Sequence, residues 1–282
     1  MVERIEERVV GADGVQIYRS AWIPEGEPRA QLTLLHGYAE HCSRYSAWVD
    51  ALVDDGIAVF ALDHKGHGRS EGRTAYLTSF RSLVPDALST MRWAAERVPG
   101  VPRLLFGHSM GGALAALVAL ENPELVDLLV MSGPSVKVSE DISPLLQKVA
   151  GIVGAIAPTL PAAKLEANLI SRDPEVVDAY KADPLVYSGS VLARTGHSLL
   201  TTERLILDRA DQLTTPFLVM HGSADGLADP SGSKRLHAAA TSEDKTIKIY
   251  DGLYHEIFNE PEQATVREEA LAWINARLAA KD

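Results

Sequence analysis

Six short apolar runs, separated by stretches of helical pattern, constrain the fold of this chain more than any other feature. They are Gln31–His36, Ile57–Asp63, Arg103–Gly107, Leu125–Ser132, Pro216–His221 and Thr246–Asp251. Several are apolar on successive residues, as strands covered on both faces must be; a sheet with one wet face alternates apolar with polar. Between the runs, Tyr45–Asp54, Leu83–Arg97, Gly112–Glu121, Ser231–Ala240 and Pro261–Ala280 carry helical patterns. The last opens with a proline in its first turn, where a missing N–H costs nothing. This alternation predicts an α/β fold: an open, mostly parallel twisted sheet with helices on both faces. Val15–Trp22 is expected as part of an antiparallel edge.

One interval breaks the rhythm. From Gly133 to Thr215, roughly 80 residues separate two expected strands, far more than an ordinary connection. Such an interval needs structure of its own. Leu145, Val149, Ile152 and Ile156 recur at helical spacing, with Leu146 and Val153 beside them, and form an apolar stripe. Gly151 and Gly154 weaken that helix, and Pro158 and Pro161 end it. The expected organisation is a core of residues 1–132 and 216–282 with a helical cap of residues 133–215 inserted in it.

Composition narrows the class. A chain of 282 residues, 46% hydrophobic and 23% charged, buries a core without a metal or disulfide staple. The net charge of −11 argues against a nucleic-acid partner, whose phosphates call for a basic face. The single cysteine, Cys42, can close no intrachain disulfide, so no oxidising compartment is implied. Met1–Val10 is charged and lacks the apolar run of a secretory signal, and no apolar stretch reaches the length of a bilayer span. A cytoplasmic enzyme-sized protein is the expectation, and the sequence sets no oligomeric state.

The pattern Gly-x-Ser-x-Gly occurs twice, at Gly68–Gly72 and at Gly107–Gly111. It has chemical meaning only as a tight strand-to-helix turn, where small residues on either side let a strained serine expose its hydroxyl. The second copy follows the apolar run at 103–106 and opens the helix at 112–121, so Ser109 is the candidate nucleophile. The first copy follows a polar loop, Asp63–Gly68, with no clear helix behind it, which leaves Ser70 as a loop residue. A serine needs a base, and the base needs an orienting acid. With such an elbow the chain order is nucleophile, acid, histidine, each on a loop after a strand. Of nine histidines, His237 falls within a helix, whereas His255 follows the last strand and is the candidate base. Asp225, behind the strand at 216–221, is the candidate acid, with Asp229 as fallback; Asp251 lies too close to His255 in sequence to orient it well. Oxyanion donors are expected from the amides of Met110 and, in the loop His36–His41, Tyr38.

These residues resemble the monoacylglycerol lipase family of the α/β-hydrolase fold. The likeness runs through His36-Gly37-x-x-Glu40-His41-x-x-Arg44-Tyr45, Leu62-Asp63-His64-x-Gly66-His67-Gly68-x-Ser70 and Gly107-His108-Ser109-Met110-Gly111-Gly112. It continues in Ser171-Arg172-Asp173-Pro174, Asp183-Pro184-Leu185, His221-Gly222-Ser223-Ala224-Asp225 and Tyr254-His255. The resemblance implies a serine hydrolase that cleaves monoacylglycerols to fatty acid and glycerol through an acyl-enzyme, with no cofactor and no metal. It implies that Glu40, Arg44, His108 and Tyr180 surround the glycerol end. Read from the residues alone, Glu40 and Arg44 serve equally well as an ion pair fixing the oxyanion loop, and His108 as packing beside the elbow. Two departures stand out: Phe258 lies near where some members carry a second histidine, and Ala228 holds a position some members give to cysteine. The family cap borders the acyl tunnel and touches a membrane or micelle transiently; a helix stripe that only packs on its neighbours fits the same residues.

Other functions use overlapping residues. Dehalogenases and epoxide hydrolases of this fold need an aspartate where Ser109 stands. A carboxylesterase, lysophospholipase or thioesterase would use the same triad with another pocket. A peptidase is a further reading, and a non-enzymatic small-molecule binder of this fold tends to lose triad members that this chain keeps.

Overall fold

Each buried strand of the main sheet sends successive side chains to opposite faces, and the chain supplies apolar residues to both. In the computed structural model, which describes residues 2–137 and 152–279, Leu104, Phe106, Leu128 and Val130 point into one core, and Leu105, Leu129 and Met131 into another. A period of two with no polar member demands cover on both sides. The first core is closed by helices α1 (Ser46–Asp54) and α8 (Gln263–Leu278), through Trp48, Leu52, Val266 and Ile274. The second is closed by α2 (Val84–Arg97), α3 (Met110–Glu121) and α7 (Pro230–Ala239). Helix α3 is alanine-rich and buried from Met110 to Leu120, as expected of a helix apolar on every side.

Among the described residues the sheet has eight strands: β1 (Glu3–Val10), β2 (Gln16–Ile23), β3 (Ala30–Leu35), β4 (Ile57–Leu62), β5 (Arg103–His108), β6 (Leu128–Ser132), β9 (Phe217–Gly222) and β10 (Lys245–Tyr250). Their spatial order is β1-β2-β4-β3-β5-β6-β9-β10. Pairing is antiparallel for β1 with β2 and for β2 with β4, and parallel elsewhere. This is the expected mostly parallel α/β sheet. Strand β1 escapes sequence reading: Arg4, Glu6 and Arg8 are exposed on one face, Glu7 on the other is half-buried and pairs with Arg19, and a half-wet hairpin strand carries little apolar signal. Leu125 belongs to a short turn of 3₁₀ helix, and β6 begins only at Leu128.

Between β6 and β9, no element among the described residues joins the main sheet. Residues 152–156 are helical and are followed by β7 (Pro161–Lys164), α4 (Pro174–Ala182), β8 (Ser190–Leu192), α5 (Ala193–Leu200) and α6 (Thr202–Ile206). Strands β7 and β8 form an antiparallel pair, so the insert is not wholly helical. Their shortness and exposed alanines hide them from a periodicity reading. Leu145, Leu146 and Val149 of the stripe lie outside the described residues. No helix among the described residues is long and apolar enough to cross a membrane.

Candidate active site

Five loops at the carboxyl ends of β3, β5, β6, β9 and β10 converge on one cavity, the position at which open α/β sheets bind ligands. The loop after β5 is the elbow. Ser109 has φ of 53° and ψ of −119°, outside the comfortable region for a residue with a side chain. The turn closes because its flanks are bare. A Cβ on Gly107 would fall 2.2 Å from the Gly111 oxygen, and one on Gly111 would fall 2.1 Å from the Leu35 oxygen. Ser109 Oγ hydrogen-bonds Ser135 Oγ at 3.2 Å rather than His255, and all three residues line the same cavity. Ser70 is committed elsewhere, donating to the Asp63 carbonyl at 2.5 Å and accepting from the Tyr18 amide at 2.8 Å.

The β9 and β10 loops bring the candidate acid and the candidate base together. His255 Nδ1 lies 2.7 Å from Asp225 Oδ2. Asp225 Oδ1 accepts from the amides of Leu227 at 2.8 Å and Ala228 at 2.9 Å. His221, which sequence reasoning assigned no role, places Nε2 3.0 Å from Asp225 Oδ2 and has Ser233 Oγ 2.7 Å from its Nδ1. Its sequence signals are its place four residues before Asp225 at the end of a strand and its membership of the His221–Asp225 motif, neither of which states a role. Burial raises the Asp225 carboxyl, but His255 and His221 outweigh burial and hold it far below the usual carboxylate range. For His255, burial lowers proton affinity, yet Asp225, Glu256 and Glu40 raise it above the usual value. His108, with its ring centroid 4.7 Å from that of His255, is pushed down to about 3 by burial and by His255. The two imidazoles are thus separated into one that stays neutral and one that takes a proton. Gly133, after β6, has φ of 48°, and a Cβ there would sit 3.1 Å from the His255 oxygen and 3.5 Å from Asp225 Oδ2. The fallback acid is engaged otherwise: Asp229 caps α7 at the Ser231 amide, 2.8 Å away, and pairs with Lys137; Asp251, set aside by its place in the sequence, accepts from Ser223. His237 lies 3.4 Å from the Lys245 carbonyl, away from the cavity.

The β3 loop carries Tyr38, which lines the cavity with Met110. Neither amide donates to a group among the described residues, so both are free for a ligand oxygen. The Tyr38 hydroxyl is tied to the Ala75 carbonyl at 2.9 Å, which fixes the loop without using its N–H.

Beside these amides is a buried ionic knot. Arg44 Nη1 donates to Glu40 Oε2 at 2.6 Å and to Glu256 Oε1 at 2.6 Å, and Nη2 donates to Glu256 Oε2 at 2.7 Å. Glu40 Oε1 accepts from the Gly37 amide at 2.6 Å and from the Tyr45 hydroxyl at 2.5 Å. The Tyr180 ring covers the guanidinium at 4.7 Å. Glu40, His108 and Tyr180 line the cavity, together with Glu256; Arg44 lies behind them, its guanidinium spent on the two carboxylates. Burial raises the Glu40 carboxyl despite Arg44, whereas Arg44 overcomes burial at Glu256 and holds it down at about 2. Glu256 was missed because a carboxylate beside a base has no sequence pattern of its own. Phe258 packs against Trp48 and Phe106, and Ala228 is buried behind Asp225. No group of three or more metal-ligating side chains occurs among the described residues.

The cavity measures about 450 Å³. Away from the polar end its walls are apolar: Val153, Leu160, Leu165, Ile170, Val191 and Leu199 among others. A serine with a nearby histidine–carboxylate pair, two free amides and an apolar pocket is equipped for acyl transfer from a lipophilic ester.

The comparisons agree with that chemistry. A family model described as "Serine aminopeptidase, S33" (Hydrolase_4) matches residues 26–262. The monoacylglycerol lipase of Mycolicibacterium smegmatis is 41% identical over 98% of this chain and 98% of its own length. Mouse monoglyceride lipase is 36% identical over 96% of this chain and 91% of its own. The crystal structure of Paleococcus ferrophilus monoacylglycerol lipase superposes with a TM-score of 0.83 at 30% identity, covering 93% of this chain and 99% of that one. With a family model spanning most of the sequence and relatives matched nearly end to end, the chain belongs to the monoacylglycerol lipase family of α/β-hydrolases.

Proposed function

We infer that this protein hydrolyses monoacylglycerols to a fatty acid and glycerol, with Ser109 as nucleophile, His255 as base and Asp225 as orienting acid. The observation that carries the reading is the 2.7 Å His255–Asp225 contact set beside a strained serine at the polar end of an apolar cavity. Residues 1–132 and 216–282 form the hydrolase core in this reading, and residues 133–215 the cap that covers it. Ser109 turns from Ser135 toward His255 and attacks the ester carbonyl. His255 Nε2 takes the hydroxyl proton while its Nδ1–H stays on Asp225. The amides of Tyr38 and Met110 receive the oxyanion. His255 then gives the proton to the departing glycerol oxygen, and a water activated by the same imidazole releases the acid. Glu40, His108 and Tyr180 face the glycerol hydroxyls, and Arg44 holds Glu40 in place.

A panel of monoacyl-, diacyl- and triacylglycerols, p-nitrophenyl esters, a lysophospholipid, an acyl thioester and an aminoacyl anilide tests this reading. A second acyl chain would have to displace glycerol hydroxyls from Glu40 and His108, leaving buried polar groups unpaired at about 1–3 kcal/mol each. Monoacylglycerols should therefore exceed triacylglycerols by at least about tenfold in kcat/KM. Equal rates on monoolein and triolein would identify a broad lipase, and a preference for the anilide a peptidase. No turnover of any ester would leave a binder.

The cap contributes a surface. Ile152, Ile156 and Leu160 are 59%, 80% and 51% exposed, while Val153 between them lines the cavity. At Ile152 and Ile156 the stripe is therefore neither buried core nor cavity wall; with Leu160 these residues make an exposed apolar patch beside the cavity-lining Val153. We read it as the point of transient contact with a membrane or micelle, consistent with a peripheral protein of the cytoplasm. Ile152→Ser and Ile156→Ser should each raise KM for micellar monoolein several-fold while leaving p-nitrophenyl butyrate kinetics and Tm unchanged. An equal effect on both substrates would remove the interfacial role.

A further inference from the structure

The ionic knot joins two loops that catalysis needs in register. Glu256 follows the base directly in sequence, and its carboxylate takes both arms of Arg44 and the Asn259 amide at 2.8 Å. From Arg44 the path continues through Glu40 Oε2 to Glu40 Oε1 and the Gly37 amide, one residue before the oxyanion donor Tyr38. No other ionic path among the described residues connects the His255 loop to the oxyanion loop. Stability alone gives little reason for it. Burying one guanidinium between two carboxylates costs desolvation that rivals the Coulomb gain, and an apolar cluster of the same volume would hold the fold as well. What the knot supplies is geometry, because the planar fork of arginine fixes direction as well as distance.

We propose that Glu256 is a positioning residue: through Arg44 it locks the His255 loop against the Gly37–Tyr38 loop, so that proton transfer and oxyanion capture are aligned on one carbonyl. The inference rests on the triad reading above in taking His255 as the base. It concerns kcat rather than substrate affinity, since a displacement of about 1 Å between reacting groups costs on the order of 10²-fold in rate.

The test is steady-state kinetics on p-nitrophenyl butyrate and monoolein, well below Tm, for Glu256→Gln, Arg44→Lys and the double variant. Glutamine keeps the shape of Glu256 but turns an amide toward the guanidinium; lysine keeps the cation but loses the fork. Each single change should lower kcat at least about tenfold with KM moving less than about threefold. The double variant should lose no more than the worse single one, because both break the same link. Wild-type kcat in both singles, a loss confined to KM, or losses that simply add would overturn the proposal. If Glu256→Gln does not fold, Arg44→Lys decides by the same kcat criterion. Failure of the triad reading is separately visible, as absence of turnover or of fluorophosphonate labelling at Ser109 in the wild type.

Discussion

Ser109→Ala is expected to reduce ester turnover by roughly 10⁶-fold, the scale seen when a serine hydrolase loses its nucleophile. The fold should survive. Alanine has the same backbone restrictions as serine, so the strain at φ of 53° is unchanged, and the tight approach of Gly107 and Gly111 is untouched. The hydrogen bond lost, to Ser135 at 3.2 Å, lies at the cavity wall and not in the core. Kinetics, a melting curve and intact mass after fluorophosphonate treatment check all three statements. Label on Ser70, or appreciable activity in the alanine variant, would overturn the elbow assignment. Ser70 is a poor target because both sides of its hydroxyl are occupied by main-chain groups.

The second large effect is expected at the acid. Asp225 accepts two backbone amides on Oδ1 and two imidazoles on Oδ2. In Asp225→Asn the side chain has one acceptor and one donor to share between those sides. The amides of Leu227 and Ala228 cannot turn away, so they claim the oxygen and force the NH₂ toward His255. That donor makes Nδ1 an acceptor and moves the imidazole proton to Nε2, the atom that must receive the Ser109 proton. A fall in kcat of roughly 10⁴ follows, with little change in KM. Asp229→Asn serves as control; its carboxylate caps α7 and pairs with Lys137, so its loss should lower Tm slightly and spare kcat. The reverse ranking would make Asp229 the acid.

The parts legible in the sequence were those written in local pattern. Consecutive apolar residues announced β3 to β6 and β9 because a strand covered on both faces has no polar side to show. The elbow was legible because Gly107 and Gly111 are required by main-chain contact, and Asp225 and His255 because each follows a strand on the expected loop. What stayed hidden depends on chain segments far apart. Glu256 meets Arg44 across more than two hundred residues of sequence, and no spacing rule reports such a meeting. His221 supports Asp225 only once the loop between them has turned back. Strand β1 was lost for the opposite reason, since its partner β2 covers one edge and solvent the rest, leaving charge where a core strand would carry valine. Of the apolar stripe, Ile152 and Ile156 lie among the described residues and both face water; periodicity alone does not say which side does.

The place where the chain leaves the sheet after β6 has a consequence for how this scaffold can vary. Strands β6 and β9 are hydrogen-bonded neighbours, with Leu129 beside Phe217 and Ser132 beside Met220, although residues 133–216 intervene. The excursion thus begins and ends at adjacent strands, whose spacing in any sheet is about 4.8 Å. Loop-closure entropy grows only with the logarithm of length, so halving or doubling the excursion alters its cost by about 0.6 kcal/mol. Its attachments to the catalytic loops include main-chain bonds, from the Tyr187 amide to the Ala39 carbonyl at 2.8 Å and from the Glu256 amide to the Ile170 carbonyl at 2.7 Å. Such bonds make no demand on side-chain identity. The excursion can therefore be exchanged almost as a cassette, refitting the pocket to a different acyl group while Ser109, Asp225 and His255 below keep their places.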